Sequence, residues 1–394
     1  MLSLLIAVVV AGSLQAQVIE TADADTRLRA GPGEEYDRVC VLPAGVALWS
    51  IGKQGMWYRV ALGECLDAWV YQATVRPTGR TTRPANARLS DLTAAPTPSG
   101  TRVAFALTRA VPFRILSELY PPRLTVDLFD CASGAYWVRQ KAGEGVCRGL
   151  AVWMEGMGWV RTRIDLALPA IVGYTASYVD GKTLVLEIRG GYAGPGLAGK
   201  TICLDPGHGG PDRGAAGPKG LQEKAVNLAV ALKAAELLQA AGARVVLTRS
   251  TDSQVGPPGC RESEELEARV QVAVKAKADL FVSIHNNHAG SGANSSVGGT
   301  EAYWWAPFCQ PLAKALLDCV SSALGLPPRH IACRSFHVLR STDCPRALVE
   351  CGYLSNPAEE EYMLRPEFAA RAAEGIVAGI RRYIDWAAGA APQP

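Results

Sequence analysis

A chain of 394 residues is long enough for two or three domains. Its 48% hydrophobic and 20% charged residues are ordinary for a globular protein and exclude a disordered or fibrous one. A formal net charge of +3 is too small to imply nucleic-acid binding, although it mildly favours meeting a polyanionic polymer.

The first expected element is an export signal over residues 1–16. Leu2 to Val10 are almost all apolar, and Gly12, Ser13 and Ala16 supply small residues near a cut. The run is too short to cross a bilayer as a helix. No Lys or Arg precedes Arg27, so the usual positive leader is missing. No other apolar run is long enough to span a membrane. The 11 cysteines are many for a cytosolic enzyme, and export permits disulfides. An odd total leaves at least one thiol unpaired. No CxxC pair occurs, which argues against a cysteine zinc knuckle.

Residues 21–77 read as a small barrel of short strands. Gly31-Pro32-Gly33 and Ala44-Gly45 mark turns, and Trp57–Val60 and Ala68–Val70 read as aromatic-rich strands. Leu28-Arg29-Ala30-Gly31-Pro32, with Tyr36, Gly45, Trp57 and Trp69-Val70, resembles a bacterial SH3-type domain, a family that commonly binds cell-wall material. Trp57 and Trp69 are expected to fill the barrel core, and Tyr36 and Trp49 to be more exposed. Residues 78–99, rich in Thr, Pro, Ala, Ser and Gly, read as a linker with a solvated basic character from Arg76, Arg80, Arg83 and Arg88. Residues 100–190 are expected to be β-rich, with alternation over Thr101–Leu107, Leu124–Leu128 and Lys182–Ile188. The Pro121–Leu128 stretch and the strand spacing resemble the AMIN wall-targeting domain.

A Gly-rich hinge, Gly190 to Gly199, precedes a change of pattern. Strands are expected at Thr201–Leu204, Arg244–Thr248, Leu280–His285, Thr300–Trp304 and Ala347–Cys351. Helices are expected near 221–241, 262–277, 308–324 and 366–386. Helices alternating with apolar strands imply an α/β domain with a twisted, mostly parallel sheet covered on both faces, following two smaller all-β domains.

All 5 histidines lie at or beyond His208. His208 follows an apolar strand in Asp205-Pro206-Gly207-His208-Gly209-Gly210, and His285 closes a second strand. Glu223 opens the helix after the first strand, and Glu350 ends a third. Functional groups collect at the carboxyl ends of such strands. Two imidazoles and one carboxylate suit Zn2+ with an open position for water, and a second glutamate can handle protons. A lone glutamate on a buried strand is otherwise costly, so Glu350 is hard to explain as packing.

Here the chain resembles the zinc-dependent N-acetylmuramoyl-L-alanine amidases. The motifs that carry this are Asp205–Gly210, Gln222-Glu223-Lys224, Val246–Arg249, Ser283–Asn287 and Leu348–Asn356, within residues 198–387. The resemblance implies that His208, Glu223 and His285 bind zinc and that Glu350 is the general base and acid. It suggests a structural role for Arg269 and substrate contacts for Arg340, Asn286 and His337. The implied substrate is peptidoglycan, cut between N-acetylmuramic acid and L-alanine by an enzyme exported to the periplasm or cell wall. An exported activator would be a further partner. Arg213 stands where the family often has proline. Only Asn286 to Gly299 separates two strands between which regulated members carry a blocking helix, so an open cleft is expected.

Rival readings rest on other residues. His288 lies beyond its strand, His330 follows Pro327-Pro328, and no HExxH occurs. Asp130-Cys131-Ala132-Ser133-Gly134 is similar to the nucleophile segment of wall cysteine peptidases, but Ile171–Tyr174 supplies no histidine base. A disulfide between Cys131 and Cys147 and a buried structural Cys351 are expected instead. The remaining rival is a wall-binding protein without catalysis.

Overall fold

The computed structural model describes residues 16–394, apart from 24–25, 37, 64–65, 135–137, 141–144, 168–170 and 291–295. The expected export signal falls almost wholly outside these residues, as does Cys65. So does the middle of the Asn286–Gly299 segment on which the open-cleft expectation rests. The chain divides into two compact units, one of residues up to Leu166 with Ala176–Glu187, the other of Ala167–Thr175 with Ile188–Pro394. Among the described residues, no helix is long and apolar enough to cross a membrane.

The N-terminal unit is built of strands. Seven between Gln17 and Pro77 form one sheet with antiparallel pairings. Side chains alternate across a strand, and here Tyr58, Val60, Ala68 and Val70 take the buried positions. Trp57 and Trp69 therefore fall on the other face, half-buried, and do not fill the core as expected. Trp57 packs on Tyr71, with ring centroids 5.4 Å apart. Tyr36 is 43% exposed and Trp49 half-buried.

The expected linker is shorter than its composition suggested. Ala87–Thr97 is a strand paired antiparallel with Gly100–Leu107. Ala87, Leu89, Leu92 and Ala94 are buried, and a register shift between Leu89 and Asp91 interrupts the period of two that would have marked the strand. Phe113–Glu118, Arg123–Phe129, Trp159–Leu166 and Cys147–Gly156 make a second, four-stranded antiparallel sheet. The expected Cys131–Cys147 bridge is absent, and the described cysteines form no disulfide. Both thiols are buried, and each donates to a main-chain carbonyl, of Ala132 and Gly149 respectively.

In the C-terminal unit the strands are β1 (Thr201–Pro206), β2 (Arg244–Leu247), β3 (Leu280–Asn287), β4 (Thr300–Trp304), β5 (Pro328–Cys333) and β6 (Arg346–Tyr353). Their order in the sheet is β2-β1-β3-β6-β4-β5. β4 pairs antiparallel with β6, and the other four pairings are parallel, so the sheet is mixed. The edge strand β5 was not anticipated, because its exposed Pro-Arg-His start carries no apolar alternation. The helices are α1 (Glu223–Ala240), α2 (Glu262–Ala276), α3 (Gln310–Leu324), α4 (Pro357–Met363) and α5 (Pro366–Ala387). Consecutive residues Ile202, Cys203 and Leu204 of β1 are all fully buried, so both faces of the sheet are covered there. Val270 and Ala273 of α2 pack with Cys203, Phe281 and Leu348. α1 and α3 also pack on the strands, and α5 packs on both of those helices. Phe368, Ala372, Ile376, Ile380 and Tyr383 form the buried stripe of α5, at helical spacing.

Candidate metal and catalytic site

The site starts from what holds the end of β1. Asp205 is 1% exposed and accepts from Thr248 Oγ1 (2.6 Å), Ser283 Oγ (2.8 Å) and Arg269 Nη1 (2.9 Å). Burial pushes its carboxyl upward, but the Arg269 charge and the two hydroxyls outweigh this and hold it below its ordinary range. Two buried arginines then saturate the next carbonyls. Arg249 donates to Pro206 and Gly207, and Arg269 to Pro206 and His208. This cradle holds His208 at φ +62°, a left-handed conformation that a non-glycine residue adopts only under constraint. Gly207 must lack a side chain, because a Cβ there would stand 2.1 Å from the His285 ring.

His208 Nδ1 donates to Asp212 Oδ2 at 2.7 Å, which turns Nε2 inward to 3.1 Å from Glu223 Oε2. His285, at the end of β3, brings Nδ1 to 2.9 Å from Glu223 Oε1. The two imidazole centroids are 5.0 Å apart. Glu223 is the first residue of α1, where the helix dipole favours an anion. It is 5% exposed and also accepts from the main-chain N–H of Ala215 (2.9 Å) and Asn286 (3.3 Å). Burial pushes its carboxyl upward. Hydrogen bonds from His208 and His285 outweigh that and hold it far below its ordinary value. Among the described residues, His208, Glu223 and His285 each offer one ligand atom, all within 4.8 Å of one another.

Glu350 stands in register with His285 on one side, across the parallel β3–β6 pair, and with Glu301 on the other. Its Oε2 is sealed from solvent and has no hydrogen-bond partner among the described residues. Burial, then the negative charges of Glu223 and Glu301, push its carboxyl well above its ordinary value.

A family model described as N-acetylmuramoyl-L-alanine amidase matches residues 202–382. Over 195 residues the chain is 36% identical to the germination-specific N-acetylmuramoyl-L-alanine amidase of Bacillus subtilis (strain 168), covering 48% of this chain and 81% of that protein. The chain belongs to the N-acetylmuramoyl-L-alanine amidase family. It is also 34% identical over 191 residues to the B. subtilis amidase LytC, covering 48% of this chain and 36% of that longer protein. Among solved structures, the catalytic domain of the amidase CwlV from Bacillus (Paenibacillus) polymyxa var. colistinus matches with a TM-score of 0.43 and 40% identity. That match covers 48% of this chain and 99% of that one.

The other residues singled out in this family member's sequence are more scattered. Asn286, expected at a substrate contact, lies buried beside Glu223. It is 1% exposed, donates from Nδ2 to Asn227 Oδ1 (2.9 Å) and supports Glu223 through its main-chain N–H. His337 and Arg340 lie at the short turn ahead of β6 and outside the three-ligand cluster. His337 Nε2 is 2.9 Å from Glu267 Oε2, and Arg340 donates to Ser335. His288 is exposed, and His330 is exposed with Nδ1 3.6 Å from Glu301. Cys131 is fully buried, and burial pushes its thiol up to about 12, which removes it as a nucleophile. Cys351 is likewise fully buried, with its thiol pushed far up.

Sequence reasoning missed three members of the site. Asp212 lies four residues after His208 in the same loop. Asn227 lies one helical turn after Glu223 and donates to it at 3.3 Å. Glu301 is 2% exposed and accepts from Tyr303, Tyr353, Arg329 and Asn287. Its signal was present, since Thr300–Trp304 carries an acid on an otherwise buried strand, as the Glu350 strand does.

Proposed function

We propose that this protein is a zinc-dependent N-acetylmuramoyl-L-alanine amidase that hydrolyses the amide between N-acetylmuramic acid and L-alanine in peptidoglycan. The observation that carries the reading is the convergence of His208, Glu223 and His285 beside Glu350, a carboxyl with one sealed oxygen lacking a partner. Two nitrogens and a carboxylate oxygen are the donor set of a catalytic zinc site, and an orphaned polar atom beside them asks for a further polar group. His208 would offer Nε2, His285 Nδ1 and Glu223 a carboxylate oxygen. When bound, zinc would acidify a water and polarise the scissile carbonyl.

The protein side chains account for the remaining work. Asp212 fixes the tautomer of His208, and the main-chain donors from Ala215 and Asn286 fix the Glu223 carboxylate. Glu350 accepts a proton from the attacking water. The water oxygen bonds to the carbonyl carbon, the C–N bond breaks, and Glu350 returns the proton to the departing amine. The products are an intact glycan strand and a free stem peptide.

The seven-stranded N-terminal sheet fits a wall-binding SH3-type module and the following strands an AMIN-like module. Tethering both to the catalytic unit would raise its effective concentration at the polymer. Export to the periplasm or cell wall is the setting this substrate requires, with residues 1–16 as the signal. Mass spectrometry of digests of purified wall tests the proposal. Stem peptides with a free N-terminal L-alanine are expected, and they should vanish with Glu350→Ala or a chelator. Cleavage within the glycan or within the peptide would refute it.

A further inference from the structure

We propose that two neighbouring carboxylates on α4, Glu359 and Glu360, are positioning residues that hold two different walls of this site. The inference rests on the metal-hydrolase reading above. α4 follows directly on β6, and Asn356 caps it by accepting from the main-chain N–H of Ala358 and Glu359. Both carboxylates point into the protein, with Glu359 6% and Glu360 0% exposed. Neither forms part of the ligand cluster. What they accept from is main chain belonging to other segments.

Glu360 holds the loop that delivers the carboxylate ligand. Both of its oxygens are 2.9 Å from the main-chain nitrogen of Lys219, and Oε1 also accepts from Leu221 (3.2 Å). That loop closes on itself through Gly217 N–H to the Leu221 carbonyl and a bridge between Ala216 and Gln222. At its base Glu223 donates to the Ala215 carbonyl, and Ala215 donates back to Glu223 Oε2. Moving Lys219 and Leu221 therefore moves the base on which Glu223 stands. Gly217 passes so close that a Cβ there would be 2.2 Å from Glu360 Oε1.

Glu359 holds the opposite wall. Its Oε1 accepts from Gly299 N–H and its Oε2 from Tyr353 N–H, each at 2.7 Å. Gly299 leads into β4 two residues before Glu301, and Tyr353 ends β6 three residues after Glu350. One short helix thus pins the ligand loop with one acid and the strands of the proton-handling acids with the next. Glu361, the third acid in the run, is half-exposed and pairs with the Lys219 ammonium at the surface.

A carboxylate offers two acceptor oxygens, and the isosteric amide offers one oxygen and an NH2 that faces the donors wrongly. Glu359→Gln therefore orphans a buried N–H, and Glu360→Gln loses one of the two bonds to Lys219 together with the negative charge that strengthens the rest, neither changing side-chain volume. Partners outside the ligand set typically alter metal affinity by about 10–100-fold.

The test uses the full-length protein, stripped of metal for the zinc titration and reloaded with zinc for the kinetics. Zinc affinity is measured by competition with a chromophoric chelator, alongside kcat and KM on purified wall and thermal melting. Glu360→Gln is expected to raise the zinc Kd about tenfold or more. Gly217→Ala, which crowds the same contact from the loop side, should do the same. Glu359→Gln should leave the zinc Kd within about twofold and lower kcat about tenfold at unchanged KM, since proton transfer depends on placement. Glu361→Gln should alter neither. Wild-type zinc affinity in Glu360→Gln overturns the inference alone. So does an equal loss of zinc affinity and melting temperature in the Glu359 and Glu360 variants, which would indicate general loosening. A wild-type protein that binds no zinc overturns the metal reading, and this inference with it.

Discussion

Two carboxylates, one in each unit, stand on sheet strands, Asp127 fully buried and Glu350 half-buried with one oxygen sealed from solvent. Asp127, in the four-stranded sheet of the N-terminal unit, is fully buried and accepts from Arg114 Nη2 (2.6 Å) and from Arg161 Nε (2.7 Å) and Nη2 (3.1 Å). Burial pushes its carboxyl up, but the Arg161 and Arg114 hydrogen bonds outweigh that and hold it below its ordinary value. Glu350 faces two other acids in place of two arginines, keeps one oxygen without a partner among the described residues, and is pushed well up. Burial of an acid therefore does not mark a functional site. A missing counter-charge does, because only a substrate, a water or a bound ion can then repay the desolvation.

The comparison breaks first at Glu350 itself. Glu350→Gln should lower kcat on wall by about 10²–10⁴-fold, the usual worth of a positioned acid or base, with zinc affinity retained. Near-normal turnover would place Glu350 in the same class as Asp127. Asp127→Asn should leave kcat unchanged and lower the melting temperature of the N-terminal unit. Breaking a buried pair costs about 3–5 kcal/mol, and roughly 2 kcal/mol is expected here because Arg114 and Arg161 stay partly exposed. Asp212→Asn comes third. It should raise the zinc Kd about tenfold by freeing the His208 ring, and a purely structural Asp212 would leave that Kd alone.

Much of the site was legible because its chemistry sits at strand ends. His208 follows an apolar strand, His285 and Glu350 lie in the carboxyl-terminal halves of two more, and Glu223 opens a helix, so period and polarity together drew them out. Glu301 escaped that rule because it is the second residue of β4, although its strand is equally buried. The supports were not legible. Arg269 was singled out only through the family resemblance, and Arg249, Glu359 and Glu360 act through main-chain groups of distant segments, bonds that leave no spacing in the sequence. Register was the other blind spot. A one-residue phase decides whether Trp57 and Trp69 or Tyr58 and Val70 face the core, and aromatic content alone favours the wrong pair. In the stretch expected as a linker, small residues and a register shift hid a strand whose pairing is plain once Gly100–Leu107 lies beside it.

The smallest effect is the one that separates the two carboxylates by sign. Asp127 has a folded pKa below its ordinary 3.8. Its unfolded form binds the proton more readily, so its contribution is complete above that value and is lost as pH falls through the folded one. Glu350 behaves oppositely in the metal-free protein. Its folded pKa lies above the ordinary 4.5, so the folded form holds a proton that the unfolded chain has released. Stability should therefore decline as pH rises from about 4.5 toward the raised value, whereas a carboxylate held down by arginines, as Asp127 is, gives no such decline. Glu350→Gln, which cannot ionise, should reduce that slope, leaving the parts from Glu359 and His208, which are also pushed upward, and make the metal-free protein more stable than wild type at neutral pH. Asp127→Asn should leave the slope above pH 4.5 intact and remove part of the acid-side loss. Melts of both variants across pH 3–8 in chelator read the two signs directly. A Glu350→Gln protein less stable than wild type at pH 7 would mean that Glu350 has a partner after all.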